Sequence, residues 1–214
     1  AGGIVIQIGV QIVGQGVARA GPFVLQIVVQ IVGQSFCADL TVSILTSLRI
    51  LFFFAVTSAS TTAATPVFPA GRISSRGVLL DLARAKGLAR LAPGTAVQPA
   101  DLDAALAKQK VGIQPGDVLC LRTGHLGVFK EDGDRETYLW QGPGLGIACI
   151  EWLRARDVAA VCADNTAIEV MPCEDPELFY PVHLLGIRDM GLAFGEMFDL
   201  DGLAADCAAD GVWE

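Results

Sequence analysis

The sequence predicts an α/β domain from about residue 71 to residue 214. Three observations predict it: short apolar runs bounded by glycine or polar residues, amphipathic stretches between them, and the alternation of the two along the chain. Residues 1–70 follow a different pattern and are taken first.

Ile4, Ile6, Ile8, Val10 and Ile12 alternate with Val5, Gln7, Gly9, Gln11 and Val13, a period of two that suits a strand. The hexapeptide Val10-Gln-Ile-Val-Gly-Gln15 recurs as Val29-Gln-Ile-Val-Gly-Gln34, on either side of Gly21-Pro22. Two copies are too few for a solenoid. The run from Leu40 to Val56 is nearly all apolar, with Phe52-Phe53-Phe54 near its end and Arg49 inside it. At about 17 residues it stands at the lower limit for a membrane span. A membrane hairpin, an export signal and a stretch never selected as part of this fold are the three readings. An export signal starts with a basic region close to the N-terminus and is shorter. The break in composition near Pro69 favours the third reading, a faulty gene model, frame change or fusion, with Thr57 to Pro69 as a small-residue linker.

Beyond Gly77 the pattern is that of a soluble enzyme domain. Val78-Leu-Leu-Asp-Leu82 reads as a buried strand, and Pro93-Gly94 marks a turn. Pro99 to Gln109 reads as a helix, with Leu102 and Leu106 on one face, acids at its start and Lys108 near its end, in accord with the helix dipole. Asp117 to Thr123 is a second strand that stops at Gly124. Ile147 to Arg156 is a helix that offers Trp152 and Leu153 to a core, and Val158 to Ala163 is a third buried strand ending at Asp164-Asn165-Thr166. Asp199 to Ala209 is a last helix, and Val212-Trp213 reads as the start of a strand that the chain cuts short.

Hydrophobic residues make up 52% of the chain and charged residues 18%. Residues 1–70 hold only Arg19, Asp39 and Arg49 as charged side chains, so the net charge of −8 belongs to the second part. No lysine or arginine cluster forms a stripe there, which argues against a nucleic-acid partner. Six scattered cysteines without a Cys-x-x-Cys pair fit reduced thiols in a cytoplasmic protein, and all six are read as small buried core residues.

Chemistry in α/β proteins gathers beyond the carboxyl ends of strands. Arg122-Thr-Gly-His125 and Asp164-Asn-Thr166 are two such ends; His125 is read as a residue bonded to backbone. Gly142-Pro-Gly-Leu-Gly146 leads into a helix but lacks the lysine and spacing of a phosphate loop, and a plain turn is favoured. His183 and Glu196 draw attention because the chain has just two histidines and metal sites use imidazole and carboxylate. Their spacing does not put them on one helical face, so they must meet by folding, across the turn near Gly191 or Gly195.

The ordered set Ser75-Arg-Gly-Val-Leu-Leu-Asp81, Pro115-Gly-Asp-Val-Leu119, Arg122-Thr-Gly124, Gly142-Pro-Gly-Leu145, Ala163-Asp-Asn-Thr166, Pro181-Val-His-Leu-Leu185 and Gly195-Glu196 resembles the cyclase family of metal-dependent hydrolases, which includes kynurenine formamidase and isatin hydrolase. The resemblance covers residues 71–214, about two-thirds of the chain. It implies a swivelling β/β/α fold, incomplete here at both ends, that is homo-oligomeric in intact relatives. It implies a divalent metal, zinc or manganese, and hydrolysis of a small amide, formamide or lactone. By position His183 matches the family's later histidine ligand and Glu196 its metal-bridging glutamate. The family's upstream His-x-Gly-Thr-His-x-Asp segment and its acid/base histidine have no counterpart, since residues 1–70 contain no histidine. An impaired hydrolase is therefore expected, and a non-catalytic fragment or membrane-associated chain is the alternative, with any membrane contact confined to residues 1–70.

The charge-poor, β-prone first part predicts that the isolated full chain aggregates or needs detergent. Light scattering in salt buffer checks this, and a clean monomer would count against it.

Overall fold

The computed structural model describes residues 5–13, 24–33, 36–41, 67–68 and 72–214, with side chains from Ser75 onward. Strands β1 (Val5–Val13), β2 (Val24–Gly33), β3 (Phe36–Thr41) and β4 (Val67–Phe68) come first. The chain continues through β5 (Arg72–Asp81), α1 (Leu82–Ala85), β6 (Ala96–Val97), α2 (Pro99–Gln109), β7 (Val118–Arg122), α3 (Leu126–Lys130) and α4 (Arg135–Trp140). It ends with β8 (Gly144–Leu145), α5 (Cys149–Ala155), β9 (Ala160–Ala163), α6 (Pro181–His183), a π-helix (Leu184–Asp189), β10 (Ala193–Gly195) and α7 (Asp201–Asp210).

One sheet runs in the order β10-β9-β7-β5-β1-β2-β3, with β4 also on β5. Strand β5 serves two partners. Its first half, Arg72 to Arg76, pairs antiparallel with β1, and its second half, Gly77 to Asp81, pairs parallel with β7. Strands β7, β9 and β10 continue in parallel, with Val118 opposite Ala160 and Ala193 opposite Ala160 on its other side. The period-two segment at the N-terminus is a strand, as read, and β1 pairs antiparallel with β2 from Val5↔Val32 to Val13↔Val24.

The parallel strands are apolar on both faces because both are covered. Val78, Leu80, Leu119, Leu121 and Val161 pack against Leu102 and Ala105 of α2 and Trp152 and Leu153 of α5. Leu79, Val118, Cys120 and Cys162 point the other way, onto Leu200 just before α7, Ala204 and Cys207 of α7, and Trp213. Such strands lose the polar alternation of a half-exposed sheet. Each fully buried leucine here contributes about 1.5–3 kcal/mol.

The three predicted helices and strands β7 and β9 lie where the sequence puts them, within the one or two residues by which helix and strand ends vary, whereas β5 starts at Arg72, well before the expected Val78, because its first half pairs with β1. Helix α2 spans Pro99 to Gln109 as read: Pro99 needs no amide partner in the first turn, and the Asp101 carboxylate accepts the Gln98 N–H at 2.9 Å. Strand β5 ends one residue earlier than expected, because the Asp81 carboxylate accepts the Arg84 N–H at 2.9 Å and starts α1 at Leu82. Strands β7 and β9 are interior strands of the sheet.

One expectation is corrected. Val212-Trp213 forms no strand; the Trp213 carbonyl accepts a single bond, from Leu79 N at 2.9 Å. The neighbouring positions on that side of β5 are taken by the Gln109 side chain, which accepts from Asp81 N at 3.0 Å and donates to Leu79 O at 2.7 Å. A side chain thus satisfies the backbone a strand would have paired. The Leu40–Val56 run beyond Thr41 lies outside the described residues, as does the Thr57–Pro69 linker apart from β4. No helix among the described residues is long and apolar enough to cross a membrane.

Gly124, at the carboxyl end of β7, has φ +76°, and a Cβ there would stand 2.6 Å from Ala89 O and 2.8 Å from Arg90 Cα. Gly124→Ala combines a left-handed residue with a backbone clash, so a loss of about 2–4 kcal/mol is expected. Urea unfolding of the variant beside Gly87→Ala, which has positive φ but open space around it, separates the two costs.

Candidate functional site

The carboxyl end of β9 gathers the polar groups. Asn165, fully buried, donates from Nδ2 to Pro143 O at 2.7 Å, accepts the Ile168 N–H on Oδ1 at 2.9 Å, and accepts the Met197 N–H on its carbonyl at 2.8 Å. The last of these holds the residue after Glu196 against the β9 end. Leu145 of β8 bonds from its N–H to Ile168 O at 2.9 Å and accepts from Val170 N at 3.1 Å, which clamps Glu169 between them. Gly144 lies so close to the Glu169 backbone that a Cβ there would overlap it.

Glu169 is 1% exposed. Its carboxylate accepts the backbone N–H groups of Val182 at 3.3 Å and His183 at 3.1 Å, and the His183 Nδ1–H at 2.6 Å. On the far edge of the ring, His183 Nε2 meets Glu196 Oε1 at 3.0 Å. His183 ends the short helix α6, entered through Tyr180 at φ +50°, and Glu196 follows β10 directly. The two residues singled out in the sequence therefore meet, 13 positions apart, across the turn at Gly191. The edges of Tyr180 and Phe194 flank the imidazole at centroid distances of 5.3 and 5.2 Å.

Burial disfavours the charged imidazole, but hydrogen bonds to Glu169 and Glu196, reinforced by their charges, outweigh it and raise the His183 pKa to about 9. In the metal-free protein at neutral pH the ring is an imidazolium that donates to both carboxylates. Nearby, Cys173 Sγ lies 3.6 Å from Glu169 Oε2, and burial holds its thiol above the usual range.

His183 Nε2 and Glu196 fit a divalent ion as two neighbouring ligands. Their 3.0 Å separation is near the roughly 3–3.4 Å between adjacent donors that each stand about 2.1 Å from a metal. Glu169 cannot join them, since it holds the opposite nitrogen. Among the described residues no three His, Cys, Asp or Glu side chains converge on one point, whereas a catalytic zinc takes about three protein ligands.

The other sequence candidates are structural. His125 is fully buried, stacks on Tyr138 at 5.3 Å, and places Nε2 3.2 Å from Tyr138 O, the backbone bond expected of it; burial lowers its pKa. The Gly142–Gly146 turn ends where the Glu174 carboxylate accepts the Ile147 N–H at 2.7 Å, so the chain's own carboxylate occupies the entry to α5. A cleft of about 410 Å³, lined by Arg84, Gly87, Leu88, Ala89 and Arg122, opens beyond β5 and β7. Its guanidinium groups are already paired, Arg84 with Asp81 and Arg122 with Asp81 and Asp201, and none of its lining residues bonds to His183. Cys120, Cys149, Cys162 and Cys207 are buried core thiols, as read, whereas Cys173, in the loop before α6, is only half-buried, and the Cys37 side chain lies outside the described residues.

Sequence reasoning missed Glu169. The available signal was a lone carboxylate in the apolar run Ala167-Ile-Glu-Val170, where an ionisable group is retained only with dedicated partners.

A family model described as "Putative cyclase" matches residues 53–170. A crystal structure described as a novel cyclase is 39% identical over 64% of this chain and 44% of its own, with a TM-score of 0.58. An isatin hydrolase bound to the product analogue thioisatinate is 20% identical, with 59% and 48% covered and a TM-score of 0.47. Isatin hydrolase A from Labrenzia aggregata, bound to benzyl benzoate, is 15% identical, with 59% and 48% covered and a TM-score of 0.46. The chain spans less than half the length of each of these solved structures. No curated protein matches. The family match includes Asp164 and Glu169 and stops short of His183 and Glu196.

Asp164 gives this region a pH dependence. It is 1% exposed and accepts Thr123 N at 2.9 Å, Thr123 Oγ1 at 2.6 Å and Gly124 N at 2.7 Å. Burial nevertheless lifts its carboxyl to about 6, against the pull of these donors and of Arg122. The folded state then holds this proton more tightly than the unfolded chain, whose aspartate titrates near about 3.9. Stability contributed here rises as pH falls from 6 to 4, by on the order of 2–3 kcal/mol. Urea unfolding between pH 7 and 4 should show this increment in the native chain and not in Asp164→Asn; equal slopes would refute it.

Proposed function

Given that the chain belongs to the cyclase family, whose model matches more than half of it, we propose that it carries one side of a metal-dependent hydrolytic site for a small amide, formamide or lactone. The observation behind this reading is the 3.0 Å pairing of His183 Nε2 with Glu196, at the carboxyl ends of parallel strands. His183 Nε2 and Glu196 would hold zinc or manganese. When bound, such an ion polarises a carbonyl oxygen and lowers the pKa of water to about 7.

The chain's own residues do the rest. His183 and Glu196 are both about one-fifth exposed, 19% and 21% at the side chain, so the pair is reachable from solvent yet flanked by apolar edges that strengthen its electrostatics. Tyr180 and Phe194 limit the swing of the ring, which keeps Nε2 on the Glu196 side. To take a cation, His183 gives up its Nε2 proton, and binding is therefore stronger as pH rises.

A second reading starts from the same ring. With both nitrogens bonded to carboxylates, His183 is a clasp that ties α6 to β10, and the chain is a non-catalytic member of the family.

Two donors bind a metal less well than a closed site, for which zinc-finger peptides reach about 10–16 kcal/mol. Calorimetry with zinc or manganese on the full chain should give binding weaker than about 1 μM, or less than about 8 kcal/mol, and lost in His183→Ala. Hydrolysis of N-formylkynurenine is expected to be slow or absent. Rapid turnover abolished by His183→Ala would show that further donors complete the site; binding unchanged in His183→Ala would leave the clasp reading.

A further inference from the structure

We propose that Glu169 is the positioning residue of this site: it locks the His183 ring through Nδ1, so that Nε2 is the nitrogen offered to a divalent cation beside Glu196. The proposal rests on the reading of His183 and Glu196 above and adds the group that makes the pair directional.

An imidazole can present either nitrogen, and the bond made by the other decides which. A carboxylate accepts and never donates once ionised, so a ring nitrogen 2.6 Å from Glu169 Oε1 carries a hydrogen. In the metal-free ring Nε2 likewise donates to Glu196, and a cation takes the place of that proton rather than the one on Nδ1, because the carboxylate on the Nδ1 side is buried and fixed by two backbone amides while Glu196 is partly open to solvent.

Glu169 is also held rigidly enough to impose this. The same carboxylate takes the Val182 and His183 backbone N–H groups, so one residue fixes both the start of α6 and the ring it carries. Its own backbone is clamped by Leu145 and by the close approach of Gly144. A residue needed only to close a surface ion pair would not be buried to 1% exposure. A carboxylate behind a ligating histidine orients the ring and raises its basicity, and losing it typically costs about 10–100-fold in metal affinity.

The test uses the full chain labelled with 15N-histidine. With two histidines in the sequence, the ring signals belong to His125 and His183 alone, and His183→Ala assigns them. The metal-free protein should show a downfield Nδ1–H proton on His183, and the zinc-loaded protein a ring protonated at Nδ1 and ligated through Nε2. A zinc-loaded ring ligated through Nδ1 overturns the proposal without any variant. In Glu169→Gln the Nδ1–H signal should move upfield, zinc affinity should fall about 10–100-fold, and the His125 signals should stay in place as the mark of an intact fold. An unchanged His183 signature, or zinc affinity within about threefold of the parent in the folded variant, overturns it. His183→Ala and Glu196→Gln separate the two readings: if neither weakens zinc binding, the metal reading fails, and the metal-free Nδ1–H signal still judges Glu169.

Discussion

A carboxylate taken out of water must find hydrogen-bond donors or lose its charge, and two such groups organise the functional end of this protein. Asp164 and Glu169 are each 1% exposed. Asp164 gathers the Thr123 hydroxyl and the amides of Thr123 and Gly124, and so ties the end of β9 to the end of β7. Glu169 gathers two amides at the start of α6 and the His183 ring. Neither set tolerates a shift of its partners by an ångström without leaving a buried charge short of donors. The loops beyond the parallel strands are therefore fixed by polar satisfaction as much as by packing.

The sheet then supplies the rest of the geometry. Strand β10 adds to β9 in parallel, with Gly195 opposite Cys162, so Glu196 emerges just past the strand end. The Asn165 carbonyl takes the next amide, from Met197, and sets the direction in which that residue leaves. His183 arrives from the opposite side on a three-residue helix and meets Glu196 at 3.0 Å. The site is thus built at the carboxyl ends of parallel strands, where loops are free to differ and the strands are not.

Much of the frame was legible in the sequence for a simple reason. Apolar runs such as Val118 to Leu121 and Ala160 to Ala163 bury both faces, and helix α2 carries its own start signal in Pro99 and Asp101. The short elements were not legible. Helices α3 and α4 span five and six residues, too few to show a period, and Trp140 and Leu139 are exposed at 58% and 45%. The π-helix after His183 and the strand β10 of three residues leave no pattern of their own.

What the sequence determined by itself was the α/β class, the order of its main strands and helices, the family, and the choice of His183 and Glu196 as a pair of interest. These follow from local composition, periodicity and ordered motifs, which need no knowledge of distant contacts. Tertiary structure alone decided that the pair meets, that His125 is packed away on Tyr138 and bonded to its carbonyl, and that Glu169 stands behind the ring. A glutamate in an apolar run acquires its role from amides and an imidazole 13 and 14 residues further on. Such bonds depend on where β10, α6 and the β9 loop come to rest, and sequence spacing carries no record of that.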